Sequence, residues 1–115
     1  MSKTPIKIYH NARCSKSRDA LCLLQNEDVE IIEYLKNPPS EEELQQLVAL
    51  LNIKPMQLVR TKEEVFQKHY AHKAANRVNW IKVMAKYPVL IERPIVIKNG
   101  KAIIARPPER VLELK

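Results

Sequence analysis

The stretch Ile6-Lys7-Ile8-Tyr9-His10-Asn11-Ala12-Arg13-Cys14-Ser15-Lys16-Ser17-Arg18 joins a strand pattern to a helical one through a single cysteine. Ile6 and Ile8 alternate with Lys7 and Tyr9, so residues 5–10 read as a strand. Residues 15–27 read as a helix whose wide apolar face carries Ala20, Leu21, Leu23 and Leu24. Val29-Glu30-Ile31-Ile32-Glu33-Tyr34-Leu35 is β-branched and strand-like again. Strand, helix and strand within 35 residues imply a parallel pair with a right-handed crossover. Cys14 then stands at the helix N-terminus, with cationic or protonatable side chains at positions 10, 13, 16 and 18. The positive end of the helix dipole and the neighbouring cations both favour thiolate, the nucleophilic form of cysteine.

Asn37-Pro38-Pro39 interrupts this pattern. Ser40 and Glu43 form a capping box ahead of Leu44, Leu47, Val48 and Leu51 at helical spacing. Pro55 opens a short helical turn with Met56, Leu58 and Val59, and Thr61 with Glu64 repeats the box before Val65 and Phe66. A further helix is expected over about 77–87, with Trp80, Ile81 and Met84 on its core face and Pro88 ending it. Near the end, Pro94-Ile95-Val96-Ile97-Lys98 and Lys101-Ala102-Ile103-Ile104-Ala105 flank Asn99-Gly100, a strong hairpin signal. Gly100 is the chain's only glycine, and it falls where a turn needs positive φ. A short helix after Pro107-Pro108 carries Val111, Leu112 and Leu114. The expected architecture is α/β: a four-stranded mixed sheet with flanking helices and a helical insertion at about 40–88, within one domain spanning 1–115.

At 115 residues, 45% hydrophobic and 29% charged, the composition is that of a soluble globular domain. No apolar run reaches the roughly 20 residues of a membrane span. Met1-Ser2-Lys3-Thr4-Pro5 is short and polar and leads straight into a strand, so a cytoplasmic protein is expected. The formal charge of +7 comes from basic residues interleaved with acids such as Glu41-Glu42-Glu43, without aromatic interleaving. A nucleic-acid partner is therefore not expected, and a small anion is the simpler use of a local positive field. Cys14 and Cys22 lie eight residues apart on one helix, a rise of roughly 12 Å that forbids a disulfide. Cys22, inside Ala20-Leu21-Cys22-Leu23-Leu24, is expected to be a buried structural thiol. His69 and His72 lack a third ligand nearby, so no metal site is expected.

Spacing separates the chemistries that use a cysteine at such a turn. A dithiol site needs Cys-x-x-Cys, but position 17 is serine. A phosphatase loop would need arginine at position 20, which is Ala20, and glycine near the site. A monothiol nucleophile remains, with oxyanion ligands supplied from elsewhere. Arg60, Arg93 and Arg106 lie at element boundaries, the last two directly before prolines. Guanidinium groups bind tetrahedral oxyanions through forked, charge-assisted hydrogen bonds. Arg13, Lys16 and Arg18 are expected to form a solvated positive rim.

The chain resembles the glutaredoxin-coupled arsenate reductases, in their short reductase-like branch. The resemblance rests on Ile8-Tyr9-His10-Asn11 before Arg13-Cys14-Ser15-Lys16-Ser17-Arg18, then Tyr34-Leu35-Lys36-Asn37-Pro38-Pro39. Glu92-Arg93-Pro94-Ile95-Val96 and Arg106-Pro107-Pro108-Glu109 extend it to the C-terminal end. It implies a thioredoxin-like fold, with Pro94 as the cis-proline facing the cysteine. By position, Cys14 matches the nucleophile, His10 the histidine that helps lower its pKa, and Arg60, Arg93 and Arg106 the oxyanion-binding set. The implied reaction is reduction of arsenate through an arseno-cysteine adduct, with glutathione as co-substrate, glutaredoxin as partner, no bound cofactor and a monomeric enzyme. Ser15-Lys16 stands where established reductases carry Gly-Thr. Two alternatives share these features. One is a monothiol oxidoreductase acting on another oxyanion or a glutathionylated substrate. The other is a non-catalytic redox regulator that binds RNA polymerase.

Overall fold

β1 (Ile6–Tyr9) is the strand on which the sheet is laid. β2 (Val29–Ile32) pairs with it in parallel, Ile6 opposite Val29 and Tyr9 opposite Ile32. β3 (Ile95–Lys98) pairs on its other side in antiparallel sense, Ile8 opposite Val96. β4 (Lys101–Ile104) completes a hairpin with β3, and the order across the sheet is β2-β1-β3-β4. The computed structural model describes residues 5–114. The four-stranded mixed sheet expected from the sequence is therefore present. Successive strand side chains point to opposite faces, so burial of both Ile8 and Tyr9 means that β1 is shielded on both.

The hairpin turn has the geometry its sequence dictates. Asn99 (φ 53°) and Gly100 (φ 74°) are both left-handed, as a two-residue turn matching strand twist requires.

α1 (Ser15–Leu23) crosses from β1 to β2. Ser17, Ala20 and Leu24 are buried, and the apolar members of that face pack with Ile6, Ile8, Val96, Ile103, Ala105 and Val111. The 3₁₀ segment Pro108–Leu114 packs against α1 and supplies Val111 to this core. Two expectations fail here for one geometric reason. Cys22 is exposed, not buried, and Leu23 is 37% exposed. Positions 17, 20 and 24 share the inward stripe, and 22 falls away from it. The helix also stops at Leu23, short of the expected 27, because the N–H groups of Leu24 and Gln25 turn back to Leu21 and Cys22 at 3.0 and 3.3 Å.

Contacts divide the chain into two compact units, one comprising the chain up to Asn37 and from Arg93 onward, the other Pro38–Glu92. The second unit contains α2 (Glu41–Leu51), α3 (Glu64–His69) and α4 (Trp80–Lys86), joined by 3₁₀ turns at Pro55–Leu58, Ala75–Arg77 and Pro88–Leu90. Leu44, Leu47, Phe66, Trp80, Ile81 and Met84 are buried, as their helical spacing requires. Ser40 caps α2, its Oγ accepting the Glu43 N–H at 3.1 Å. Thr61 does not cap α3. Residues 60–63 close a turn of their own, Glu63 N–H to Arg60 C=O at 3.2 Å, and the helix starts after Glu63. The last helix starts at Trp80, later than expected, because Asn79 Oδ1 accepts the Lys82 N–H at 3.2 Å.

Gly100→Ala isolates the turn constraint, since an added Cβ would meet nothing within 4 Å. The cost is backbone strain alone, about 1–2 kcal/mol, and Gly100→Asn costs less because asparagine tolerates this conformation. Urea unfolding should rank wild type, Gly100→Asn and Gly100→Ala in that order. Equal stabilities would contradict the turn assignment.

Candidate functional site

The loop between β1 and α1 is held by its own short hydrogen bonds. Cys14 N–H donates to Asn11 C=O at 3.0 Å, and Asn11 Oδ1 accepts the Arg13 N–H at 3.0 Å. Arg18 Nη1 reaches back to the Ala12 carbonyl at 2.9 Å. These bonds set Cys14 in extended conformation (φ −94°, ψ 121°) as the N-cap of α1, with its thiol half-buried. Arg13, Lys16 and Arg18 are exposed around it.

Behind the loop, Ser17 Oγ accepts the Asn11 N–H at 3.1 Å and lies 2.9 Å from His10 Nδ1. Ser17 is fully buried, so its own proton needs an acceptor, and Nδ1 supplies one. The network thus assigns the ring proton of His10 to Nε2. The electrostatics agree. Burial holds the His10 pKa below its usual 6.5, Glu33 opposes this, and Arg18 adds to it. His10 is therefore a neutral imidazole at physiological pH, and it supplies hydrogen bonding rather than charge.

Cys14 shows the opposite balance. Burial pushes its pKa up, but the Ser17 N–H, the hydrogen bond and charge of Arg93, and the Lys16 N–H together hold it below 9.0. Sγ makes no strict capping hydrogen bond to the helix, so the first-turn N–H groups act as dipoles facing the sulfur. Arg93 is the only side chain among these stabilising groups. It precedes Pro94 at the start of β3, and the Arg93–Pro94 and Arg106–Pro107 peptide bonds are both cis. Arg106 Nη1 donates to the Arg93 carbonyl at 3.2 Å, and Ala105 N–H to the Pro94 carbonyl at 2.9 Å.

The first unit thus brings together Cys14 and Arg93 directly, Arg106 through the Arg93 backbone, and His10 through Ser17. Arg60 belongs to the second unit, where its Nη1 donates to Glu92 at 3.2 Å. Its Nε lies 3.2 Å from Glu63 Oε1, off the hydrogen-bonding direction. Two carboxylates therefore flank the Arg60 guanidinium. Sequence reasoning treated Ser17 only as a missing cysteine and gave it no role. The available signal was a hydroxyl three residues after the N-cap, on the same helical turn as the nucleophile.

The model of the ArsC family matches residues 9–114. The chain belongs to the ArsC family. A protein of Haemophilus influenzae named arsenate reductase is 43% identical over 111 residues, covering 93% of this chain and 96% of that one. An Escherichia coli protein named "uncharacterized protein YfgD" is 42% identical over 113 residues, covering 95% of each. Among solved structures, the arsenate reductase from Vibrio cholerae superposes with a TM-score of 0.88 at 39% identity, over 99% of this chain and 100% of that one. The fold is accordingly the thioredoxin-like fold of ArsC proteins. Among the described residues, no helix of this ArsC-family chain is long and apolar enough to cross a membrane.

Two titrations follow. With Cys22 replaced by serine, ultraviolet titration of Cys14 should give a midpoint below 9.0, and Arg93→Gln should raise it. No change in the variant would contradict the Arg93 contact. For His10, the folded-state pKa lies below the unfolded value, so its neutral form favours folding. That stability is complete above 6.5 and is lost as pH falls through the folded-state pKa. Urea unfolding should show this acid-side loss, and His10→Gln should flatten it.

Proposed function

We propose that the protein reduces arsenate to arsenite, using Cys14 as nucleophile and glutathione with glutaredoxin as the source of electrons. The observation that carries the reading is one thiol, depressed in pKa, in contact with a guanidinium that can also take an oxyanion oxygen. The names of relatives about 40% identical over nearly the whole chain support arsenate as the oxyanion.

In this mechanism the Cys14 thiolate attacks arsenic(V), an As–S bond forms, and an arsenate oxygen leaves as water after protonation. Arg93 and Arg106 bind the remaining oxygens as charge shifts onto them. Arg60, in the second unit, is the third residue that the family resemblance assigns to the oxyanion. His10 acts as a positioning residue. Its neutral ring holds Ser17, and Ser17 holds the Asn11 N–H and the helix turn whose amides face the sulfur. Glutathione then displaces a second oxygen, again lost as water, and gives an arsenic bridged between two sulfurs. The glutaredoxin thiolate attacks the glutathione sulfur. The electron pair of that As–S bond stays on arsenic, which becomes arsenic(III), and a glutaredoxin–glutathione disulfide departs. Hydrolysis of the remaining As–S bond releases arsenite and regenerates Cys14. Serine at position 17 suits this route, since no internal thiol competes with the external one.

NADPH oxidation coupled through glutathione reductase tests the reading, with arsenate, glutathione and glutaredoxin supplied. An arsenate-dependent rate should appear and fall to background in Cys14→Ser. Arg93→Gln and Arg106→Gln should each lower kcat/KM for arsenate by about 10–100-fold, the equivalent of one charged hydrogen bond of about 1.5–3 kcal/mol. An arsenate-independent rate, or full activity in Cys14→Ser, would overturn it.

A further inference from the structure

A cavity of about 360 Å³ opens beside the Cys14 loop within the first unit, and none of the steps above uses it. One wall is the Asn11–Arg13 loop, and the other is the chain that follows β2, from Glu33 to Lys36. His10 contributes to the lining. The volume lies within the roughly 300–1,000 Å³ of small-molecule sites, at the small end. We propose that this cavity seats the thiol co-substrate, a peptide thiol of glutathione type that carries two carboxylates and one ammonium group. The proposal rests on the thiol-dependent reading of the reaction and gives that thiol a place.

The lining has the complementary charges. Arg13 and Lys36 are exposed cations, one for each carboxylate, and half-buried Glu33 offers an anion to the ammonium group. Leu35, 44% exposed, presents apolar surface to the methylene chain. Lys36 Nζ stands 3.5 Å from Glu33 Oε2, the lysine well exposed and the glutamate partly so. Such a pair contributes little and exchanges readily for ligand groups.

The same wall is tied to the nucleophile. Arg13 is the residue before Cys14, and the hydrogen bonds of the loop make wall and thiol one piece. Cys14 itself does not line the cavity, but a thiol bound there is held against the loop that ends at Cys14, which raises its local concentration near that residue. The other wall is equally fixed. Tyr34 is fully buried, and the Glu33 carbonyl accepts the N–H groups of Lys36 and Asn37, both at 2.9 Å. The run Tyr34-Leu35-Lys36-Asn37, part of the family resemblance yet unused by the oxyanion chemistry, thereby gains a role.

The test needs no arsenate. In Cys22→Ser protein, Cys14 is converted to its mixed disulfide with 5-thio-2-nitrobenzoate. An attacking thiolate then forms a new disulfide with the Cys14 sulfur, and 5-thio-2-nitrobenzoate leaves with the electron pair and is followed by its colour. Glutathione should react with saturating kinetics and exceed 2-mercaptoethanol, compared per thiolate, by about tenfold, equivalent to about 1.4 kcal/mol. Lys36→Gln and Glu33→Gln should each move that ratio toward one and weaken saturation. A rate linear in glutathione, or variants that leave the ratio unchanged, would overturn the site. Saturable, variant-sensitive exchange in a protein that fails to reduce arsenate would uphold the site and remove only the arsenate reading. Arsenate reduction with non-saturable exchange would do the reverse.

Discussion

A thiolate held partly out of water must be compensated by donors, and the first unit is arranged around meeting that need at Cys14. Burial alone would keep the sulfur protonated. The compensation comes from the contiguous β1–α1 segment and from the distant start of β3, which the sheet brings together. α1 supplies the Ser17 and Lys16 amides, the start of β3 supplies Arg93, and the end of β1 supplies the neutral His10 that holds Ser17. Pairing of β3 directly beside β1 brings Arg93 to the sulfur across nearly 80 residues of intervening chain, from 14 to 93. The helical unit is inserted between the two halves of this arrangement without interrupting the sheet.

Neutral histidine and charged arginine divide the work near the thiol. A cationic His10 would favour thiolate through charge, but burial and Arg18 both oppose that state. Its neutral ring instead orients Ser17, which fastens the β1–α1 loop. Arg93, always charged, provides the field. The arrangement leaves the helix with a hydroxyl where a dithiol protein would carry a second cysteine, in keeping with the external thiol of the proposed reaction.

Much of this was legible in the sequence, because it depends on local pattern. Ile6 and Ile8 marked β1, Asn99-Gly100 marked the hairpin, and Ser40 marked the start of α2. What escaped depends on position in three dimensions. Cys22 lies in an apolar run, yet helical phase places it outward, since packing selects a stripe rather than a composition. Thr61 has the spacing of a cap, but the turn at 60–63 delays the helix. The flanking of Arg60 by Glu92 joins residues 32 positions apart, and no local motif announces it. The role of Ser17 depends on a buried hydroxyl proton, which only the packed geometry makes conspicuous.

A crystal structure of the protein soaked with arsenate tests the central claim most directly. The account predicts arsenic bonded to Cys14 Sγ, with the Arg93 and Arg106 guanidinium groups on its oxygens and the Ser17–His10 hydrogen bond intact. Arsenate bound away from Cys14, or an adduct whose oxygens contact neither arginine, would contradict it.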